Sequence, residues 1–389
     1  MSSQNPVFIP GPTNMPEEIR KACFVPTIDH RSSAFAKVFN PAVAGVKRIL
    51  KMGAGEVFIL PSTGTGGWEA AISNTLSPGD TVLAARFGMF SHRWIDMCQR
   101  HGLEVQVIEA PWGHGAPLAA IEAELRADKG HKIKVVLATH NETATGVRSD
   151  IAGVRRAMDA AGHPAMLFVD GVSSVASMEF DMGGWGIDVA VTGSQKGFML
   201  PAGLAILGVS PKALEAMKTA RLPRTFFDYA DQIRTNAAGG YPYTPPVGLI
   251  AGLARAVEML EEEGLDNVIA RHHRIAEGVR RAISAWGLKP CAASPDLYSD
   301  TVTAVVVPEG CNGTDLVQLS AKKYGVAFGV GLGEVAGKVF RIGHLGMLSD
   351  VLMLAGLATA EMCMADLGWG VKLGSGVAAA QDYYRATAK

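Results

Sequence analysis

Cysteine is scarce in this chain, with five residues in 389 (Cys23, Cys98, Cys291, Cys311 and Cys363). They are scattered, odd in number and free of C-x-x-C spacing, which suits reduced thiols in a cytoplasmic protein rather than a disulfide framework. Excess charge of either sign is also missing. The 36 basic and 37 acidic residues leave a pI near 6.8, so no global field attracts nucleic acid or an anionic membrane. Aromatic residues make up only 7% and basic residues are dispersed, leaving no stacking platform for bases. The histidines include no H-E-x-x-H, and the adjacent His272 and His273 point different ways on a helix, so no metal site is expected. The most apolar stretch, Val351 to Ala360, runs into Glu361 and is too short to span a bilayer. The start, MSSQNPVFIPGP, has no leader pattern, and the end, RATAK, is no receptor-read address. The expectation is a cytoplasmic protein with neither membrane nor nucleic-acid partners.

Glycine, by contrast, is abundant: 45 residues, where a typical share of ~7% would give about 27. No G-x-y period accompanies it, which excludes collagen and directs the surplus to turns, close packing or ligand loops. Hydrophobic residues make up 48%, enough for a large core, and a length well beyond the usual ~150-residue increment suggests two domains. From about residue 55 to 210, short apolar runs alternate with helical patterns. The strands read as Val57–Leu60, Val82–Ala85, Val105–Ile108, Val135–Ala138, Met166–Val169, Val189–Thr192 and Leu204–Val209. The helices between them include Trp68–Leu76, Met89–His101, Leu118–Asp128 and Ile151–Ala161. Runs without polar alternation fit a mainly parallel sheet of seven strands buried on both faces, an α/β design whose ligands bind beyond the carboxyl ends of strands. Residues 221–247 read as loop. A helix follows from Val247 to Glu262, then one with Val268, His272, Ile275, Val279, Ala282 and Trp286 on a single stripe. A strand (Val302–Val307), a helix capped by Thr314, a strand ending at Phe340-Arg341 and a helix near Ser349 complete a smaller α+β domain. The expected division is an arm at 1–15, a large domain at 16–262 and a small C-terminal domain at 263–389.

Three segments could carry chemistry. Ser62-Thr63-Gly64-Thr65-Gly66-Gly67-Trp68 joins a strand to a helix, where bare backbone and the helix N-terminus favour an anion. It lacks the G-K-[ST] of a P-loop, and alone it divides evenly between phosphate binding and a tight turn. Asp170 directly follows the apolar strand Met166–Val169; alone it reads as a cap. Lys196, in Gly193-Ser194-Gln195-Lys196-Gly197, follows the strand Val189–Thr192 and precedes apolar Phe198-Met199-Leu200. Desolvation there would free its amine as a nucleophile, whereas a solitary lysine would read as surface. Together the three match pyridoxal phosphate, whose phosphate wants a glycine-rich helix start, whose ring nitrogen wants a carboxylate and whose aldehyde wants a lysine.

With these motifs the sequence resembles the class V, fold-type I aminotransferases, most closely the serine–glyoxylate and alanine–glyoxylate type. The similarity runs nearly end to end: Pro10-Gly11-Pro12, the T-G-T-G-G-W loop, His140-Asn141-Glu142-Thr143-Ala144-Thr145-Gly146, Val169-Asp170-Gly171-Val172-Ser173-Ser174, Gly193-Ser194-Gln195-Lys196, Tyr241-Pro242-Tyr243-Thr244-Pro245 and Phe340-Arg341-Ile342-Gly343-His344-Leu345-Gly346. The resemblance implies that Lys196 binds the cofactor aldehyde and shuttles the proton, and that Asp170 pairs with the pyridine nitrogen. It implies that Thr63, Gly64 and Thr65 bind phosphate with Gln195 beside the lysine, that Thr143 lies near the phenolic oxygen, and that Phe90 stacks on the ring where some relatives have tryptophan. Tyr241 and Thr244 would reach the phosphate of a neighbouring subunit, making a homodimer with shared sites and leaving open its pairing into tetramers. Arg341 would grip the substrate carboxylate, as a planar guanidinium can bidentately; without the motif it would read as a structural salt bridge.

The implied reaction moves an amino group from a small amino acid to glyoxylate, yielding glycine and a 2-oxo acid, with serine or aspartate as donor and pyruvate as an alternative acceptor. Arg31, in a segment that approaches the partner's site in relatives, could hold an aspartate side chain, contact a serine hydroxyl, or be a plain surface arginine. Two rivals are a lyase or desulfurase of the same fold, which needs a mobile cysteine near the site, and a non-enzymatic nucleotide binder suggested by Gly329-Val330-Gly331-Leu332-Gly333.

Overall fold

A computed structural model describes residues 5–26 and 28–388; positions 1–4 of the expected arm, position 27 and position 389 lie outside the described residues. All seven strands read from the sequence form one sheet, in the order Glu56–Ser62, Gly203–Val209, Val189–Gly193, Met166–Asp170, Ile133–Thr139, Thr81–Arg86, Glu104–Glu109. Only Gly203–Val209 runs antiparallel to its neighbours. Alternate side chains feed two separate cores, as the period of a strand requires. Leu167 and Val169 join the core under the helices Ser33–Ile49 and Val247–Glu263. Met166 and Phe168 join the core under Gly64–Thr75 and Met89–Arg100. Apolar residues on both faces are what turned these strands into continuous hydrophobic runs. The edge strand Glu104–Glu109 leaves Glu104, Gln106 and Glu109 exposed and the residues between them half-buried, as an edge strand facing water does.

The smaller sheet has five strands, ordered Val7–Phe8, Ala327–Val330, Val339–Gly343, Val302–Val306, Lys289–Pro290. Its first strand comes from the N-terminal arm and pairs parallel with Ala327-Phe328, with Phe8 stacked on Phe328. The stripe on the helix Leu265–Ala285 is buried as expected. His272 is a satisfied interior histidine: Nδ1 donates to the Val268 carbonyl and Nε2 accepts from the Gly346 amide.

Two expectations need correcting. Residues 221–247 are not all loop, because Tyr229–Asn236 is a helix capped by the Asp228 side chain. Its Tyr229 is buried and stacked 4.3 Å from Phe58, so the flanking glycines and prolines bound a helix rather than replace one. The helix Gly313–Leu319 is capped by Asn312, whose side chain accepts from the Thr314 amide, not by Thr314 itself. Among the described residues, no helix is long and apolar enough to cross a membrane.

Candidate active site

A cavity of about 110 Å³ opens where the parallel strands end, lined by Thr63, Gly64, Thr65, Trp68, Phe90, Thr143, Asp170, Val172, Ser173, Gln195 and Lys196. Most of these residues stand at or soon after the end of a strand, the position at which open α/β sheets hold ligands. Thr63 to Thr65 form the entry to the helix Gly64–Thr75, and Phe90 lies in the first turn of Met89–Arg100. Thr143 follows the short strand Asn141–Glu142, Asp170 ends its strand, and Gln195 and Lys196 follow Val189–Gly193.

The anion-binding end is built from backbone. Thr63 is extended and its hydroxyl makes no capping bond, so hydroxyl and first-turn amides are left for a ligand. Glycine at 64 and 67 is required by packing: a Cβ would lie 2.5 Å from Val172 Cγ2 at the first and 2.6 Å from Val191 Cγ1 at the second. That closeness seats the helix start against the strand ends. Gln195 Oε1, on the same wall, is buried without a partner, an orphaned group of the kind a ligand satisfies. These residues fit the phosphate of pyridoxal phosphate, and the carboxylate and amine opposite fit its ring and aldehyde.

Asp170 Oδ1 accepts from the Val172 amide at 2.9 Å. Burial, aided by the Glu142 charge, pushes its pKa up to about 7 despite that bond and the nearby Lys196. A cationic ring nitrogen against it would draw it back to the carboxylate form. Lys196 is only 9% exposed. Burial first, then the Arg341 charge, lowers its pKa to about 8, with Asp170 opposing. Its Nζ donates to the Pro10 carbonyl of the arm. Thr13 bonds the backbone of Gln195 and Lys196. Gly11 has φ +108° and a Cβ there would lie 2.5 Å from Lys196 Cδ, so only glycine lets the arm lie over the amine.

Attack on an aldehyde needs the neutral amine, which with a pKa near 8 is abundant at pH 8, where an ordinary lysine is neutral in fewer than about one molecule in a hundred. Capture of pyridoxal phosphate, followed by absorbance, should accelerate through a midpoint near pH 8 and then level off. A rate still climbing steeply above pH 10 would mean that Lys196 is not desolvated.

Arg341 is buried in the strand Val339–Gly343. Nε donates to Val330 O at 2.8 Å and Nη1 to Thr143 O at 2.9 Å, with no carboxylate in a salt bridge to it among the described residues. Burial lowers its pKa to about 10, with Glu142 opposing, so it is charged at neutral pH. The bond to Thr143 joins this cation to the cavity wall. Thr143 Oγ1 in turn meets Ser173 Oγ at 2.8 Å, and Ser173 is held by Asn141.

The structure does not bring Tyr241, Thr244 or Arg31 to the cavity. Tyr241 is buried in its own chain, its hydroxyl donating to Ile59 O at 2.7 Å and its ring edge-on to Phe39. Thr244 and Arg31 are exposed. Trp68, Ser173, Glu142 and the Pro10 carbonyl had no role assigned from the sequence, although all four lie inside the motifs quoted above. No cysteine lines the cavity; Cys98 and Cys363 are buried elsewhere, which removes support for a desulfurase. Gly329 to Gly333 leaves a strand of the small sheet for a 3-10 turn, Gly333–Val335, rather than a helix, so a dinucleotide loop is unsupported. No group of three or more potential metal ligands occurs among the described residues.

The sequence profile of the family described as Aminotransferase class-V matches residues 21–342. The chain is 67% identical to the L-aspartate–glyoxylate aminotransferase of Paracoccus denitrificans, over 100% of this chain and 98% of that protein. It is 54% identical to the serine–glyoxylate aminotransferase of Hyphomicrobium methylovorum, over 97% and 94%. Among solved structures, pyridoxamine–pyruvate aminotransferase from Mesorhizobium loti superposes with a TM-score of 0.92 at 30% identity, covering 100% of this chain and 99% of that one.

Proposed function

This chain belongs to the class V aminotransferases, with their fold-type I architecture, and from that premise we propose that it transfers the amino group of a small L-amino acid, aspartate or serine, to glyoxylate, forming glycine and a 2-oxo acid. The observation that carries this reading is the meeting of Lys196, Asp170 and the uncapped Thr63–Thr65 helix start in one cavity, with Arg341 bonded to its wall. Pyridoxal phosphate, the cofactor the family implies, supplies an aldehyde for amines and a ring that accepts electron density.

The chain's own residues divide the remaining work. Lys196 holds the aldehyde and carries the proton to and from the substrate α-carbon. Asp170 keeps the ring nitrogen protonated. Thr63, Gly64, Thr65 and Gln195 hold the phosphate, Phe90 covers the ring and Thr143 borders its phenolic oxygen. Arg341 takes the α-carboxylate of the amino acid and the carboxylate of glyoxylate in turn. In the division we propose, an arm at 1–15, a large domain at 16–262 and a small one at 263–389, the substrate clamp and the proton carrier stand on different domains.

The functional unit is a homodimer, with Thr244 of each chain turned to the partner's phosphate. Support comes from apolar surface: Phe24 is 77% exposed, and exposed Phe226 stacks on Tyr243 beside Thr244. Unpaired cysteines suit a cytoplasmic setting. Purified holoenzyme should form glycine from glyoxylate with aspartate or serine; no glycine from either, or from alanine, rejects the assignment. Preference for pyruvate over glyoxylate would correct the acceptor.

Aspartate is the donor favoured by the 67% identity and by Arg31, whose guanidinium makes no hydrogen bond among the described residues. If Arg31 receives the side-chain carboxylate of aspartate, Arg31→Ala should lower kcat/KM for aspartate by about tenfold or more while leaving serine within about twofold, since a charge-assisted bond contributes ~1.5–3 kcal/mol. Equal losses for both donors would remove Arg31 from the specificity site.

A further inference from the structure

We propose that Glu142 is a positioning residue of this active site, a buried carboxylate that ties the first turn of the helix Met89–Arg100 to the segment carrying Thr143 and thereby fixes the ring of Phe90 against the cofactor. The proposal rests on reading the cavity as the pyridoxal phosphate site. Glu142 is fully buried, at 0% exposure. Oε2 accepts from the Phe90 amide at 3.1 Å and the Ser91 amide at 3.0 Å, while Oε1 accepts from the Ala144 amide at 3.1 Å.

The helix needs this partner from outside. Its N-cap is Gly88, which has no side chain to offer, and its first turn contains no acidic residue. Its free amides and positive end are therefore answered by a carboxylate 52 residues away from Phe90 in the chain. Gly88 makes the approach possible, because a Cβ there would collide with Glu142 Cγ and Cδ. On the far side of the same acid, Ala144 is bound next to Thr143, whose carbonyl holds Arg341 and whose hydroxyl faces Ser173. One carboxylate thus fixes two walls of the cavity, the ring-covering side chain and the threonine opposite the amine loop.

The chemistry of the acid matters as well as its reach. Each oxygen faces backbone N–H groups, so an amide in its place would turn an NH₂ donor toward other donors. Burial raises the Glu142 pKa while the amide bonds oppose it, and its negative charge helps keep buried Arg341 charged.

The first measurement is hydrogen exchange at the Phe90 and Ser91 amides of the apo-protein, which does not depend on what fills the cavity. Glu142→Gln should exchange there faster than the parent, and unchanged protection would overturn the tie. The second is titration of apo-protein with pyridoxal phosphate, followed by quenching of tryptophan fluorescence, with Trp68 on the cavity wall. Glu142→Gln should bind about tenfold more weakly, the cost of losing a helix cap. In a Phe90→Leu background the same change should cost less than about twofold, because neighbours acting through one contact are not additive. An equal cost in both backgrounds would overturn the route through Phe90. If Glu142→Gln does not fold, Gly88→Ala displaces the acid without removing its charge and should weaken binding similarly; parental affinity in folded Gly88→Ala would overturn the proposal. A parent protein that does not bind pyridoxal phosphate would instead reject the cofactor reading, leaving the exchange result to judge the tie.

Discussion

Replacing Lys196 by alanine should abolish the visible absorption band of the holoenzyme and lower transamination by at least ~10³-fold, since both covalent capture and proton transfer depend on this amine. Among the described residues no second lysine lines the cavity, so no neighbour there can substitute. The fold should survive. The amine is bonded to a single carbonyl, that of Pro10, and burial has already moved its pKa down to about 8, the mark of a charge held at a cost in free energy rather than one that stabilises the core. The apo-variant should therefore melt within a few degrees of the parent apo-protein. Absorbance, turnover and thermal melts on the same preparation decide the matter. Activity within tenfold of the parent would mean that the nucleophile lies elsewhere.

Replacing Arg341 by alanine should lower kcat/KM by about 10² to 10⁴-fold for the amino donor and for glyoxylate alike, because each loses two charge-assisted bonds worth ~1.5–3 kcal/mol apiece. The loss should appear mainly in KM, with affinity for pyridoxal phosphate little changed, since Arg341 lies beside the cavity rather than on its lining. Arg341→Lys should recover little. It keeps the charge but cannot present a planar fork to a carboxylate while also bonding Val330 O and Thr143 O. A variant that lost cofactor affinity and kept KM would assign Arg341 to the cofactor. Effects on the donor without effects on glyoxylate would break the shared carboxylate grip.

What could be read from the sequence had local causes. Val189–Gly193 and Met166–Asp170 are buried on both faces, so they appear as apolar runs, and the polar residues at or just past the end of each run mark the ligand side of the sheet. That is how Asp170 and Lys196 became visible. The glycine-rich helix start was legible too, although at Gly64 and Gly67 packing against Val172 and Val191 demands glycine as much as an anion does.

What could not be read depends on contacts between distant segments. Glu142 sits in a polar-looking stretch, and its partners Phe90 and Ser91 announce nothing, because backbone amides are common to every residue. The Pro10 carbonyl over Lys196 is hidden for the same reason. Tyr241 is likewise held by distant segments of its own chain, with Phe39 from the helix Ser33–Ile49 at its ring and the Ile59 carbonyl from the strand Glu56–Ser62 at its hydroxyl.

The proposed reaction passes an amino group from a small amino acid to glyoxylate at one site, through bound pyridoxal phosphate. Single-turnover absorbance spectroscopy of the holoenzyme tests it most directly. Mixing with aspartate or serine, and no glyoxylate, should convert the initial visible band to a second form in one turnover and release one equivalent of 2-oxo acid. Adding glyoxylate should then restore the first band and yield one equivalent of glycine. A band that no donor shifts, or a shifted band that glyoxylate does not restore, would contradict it.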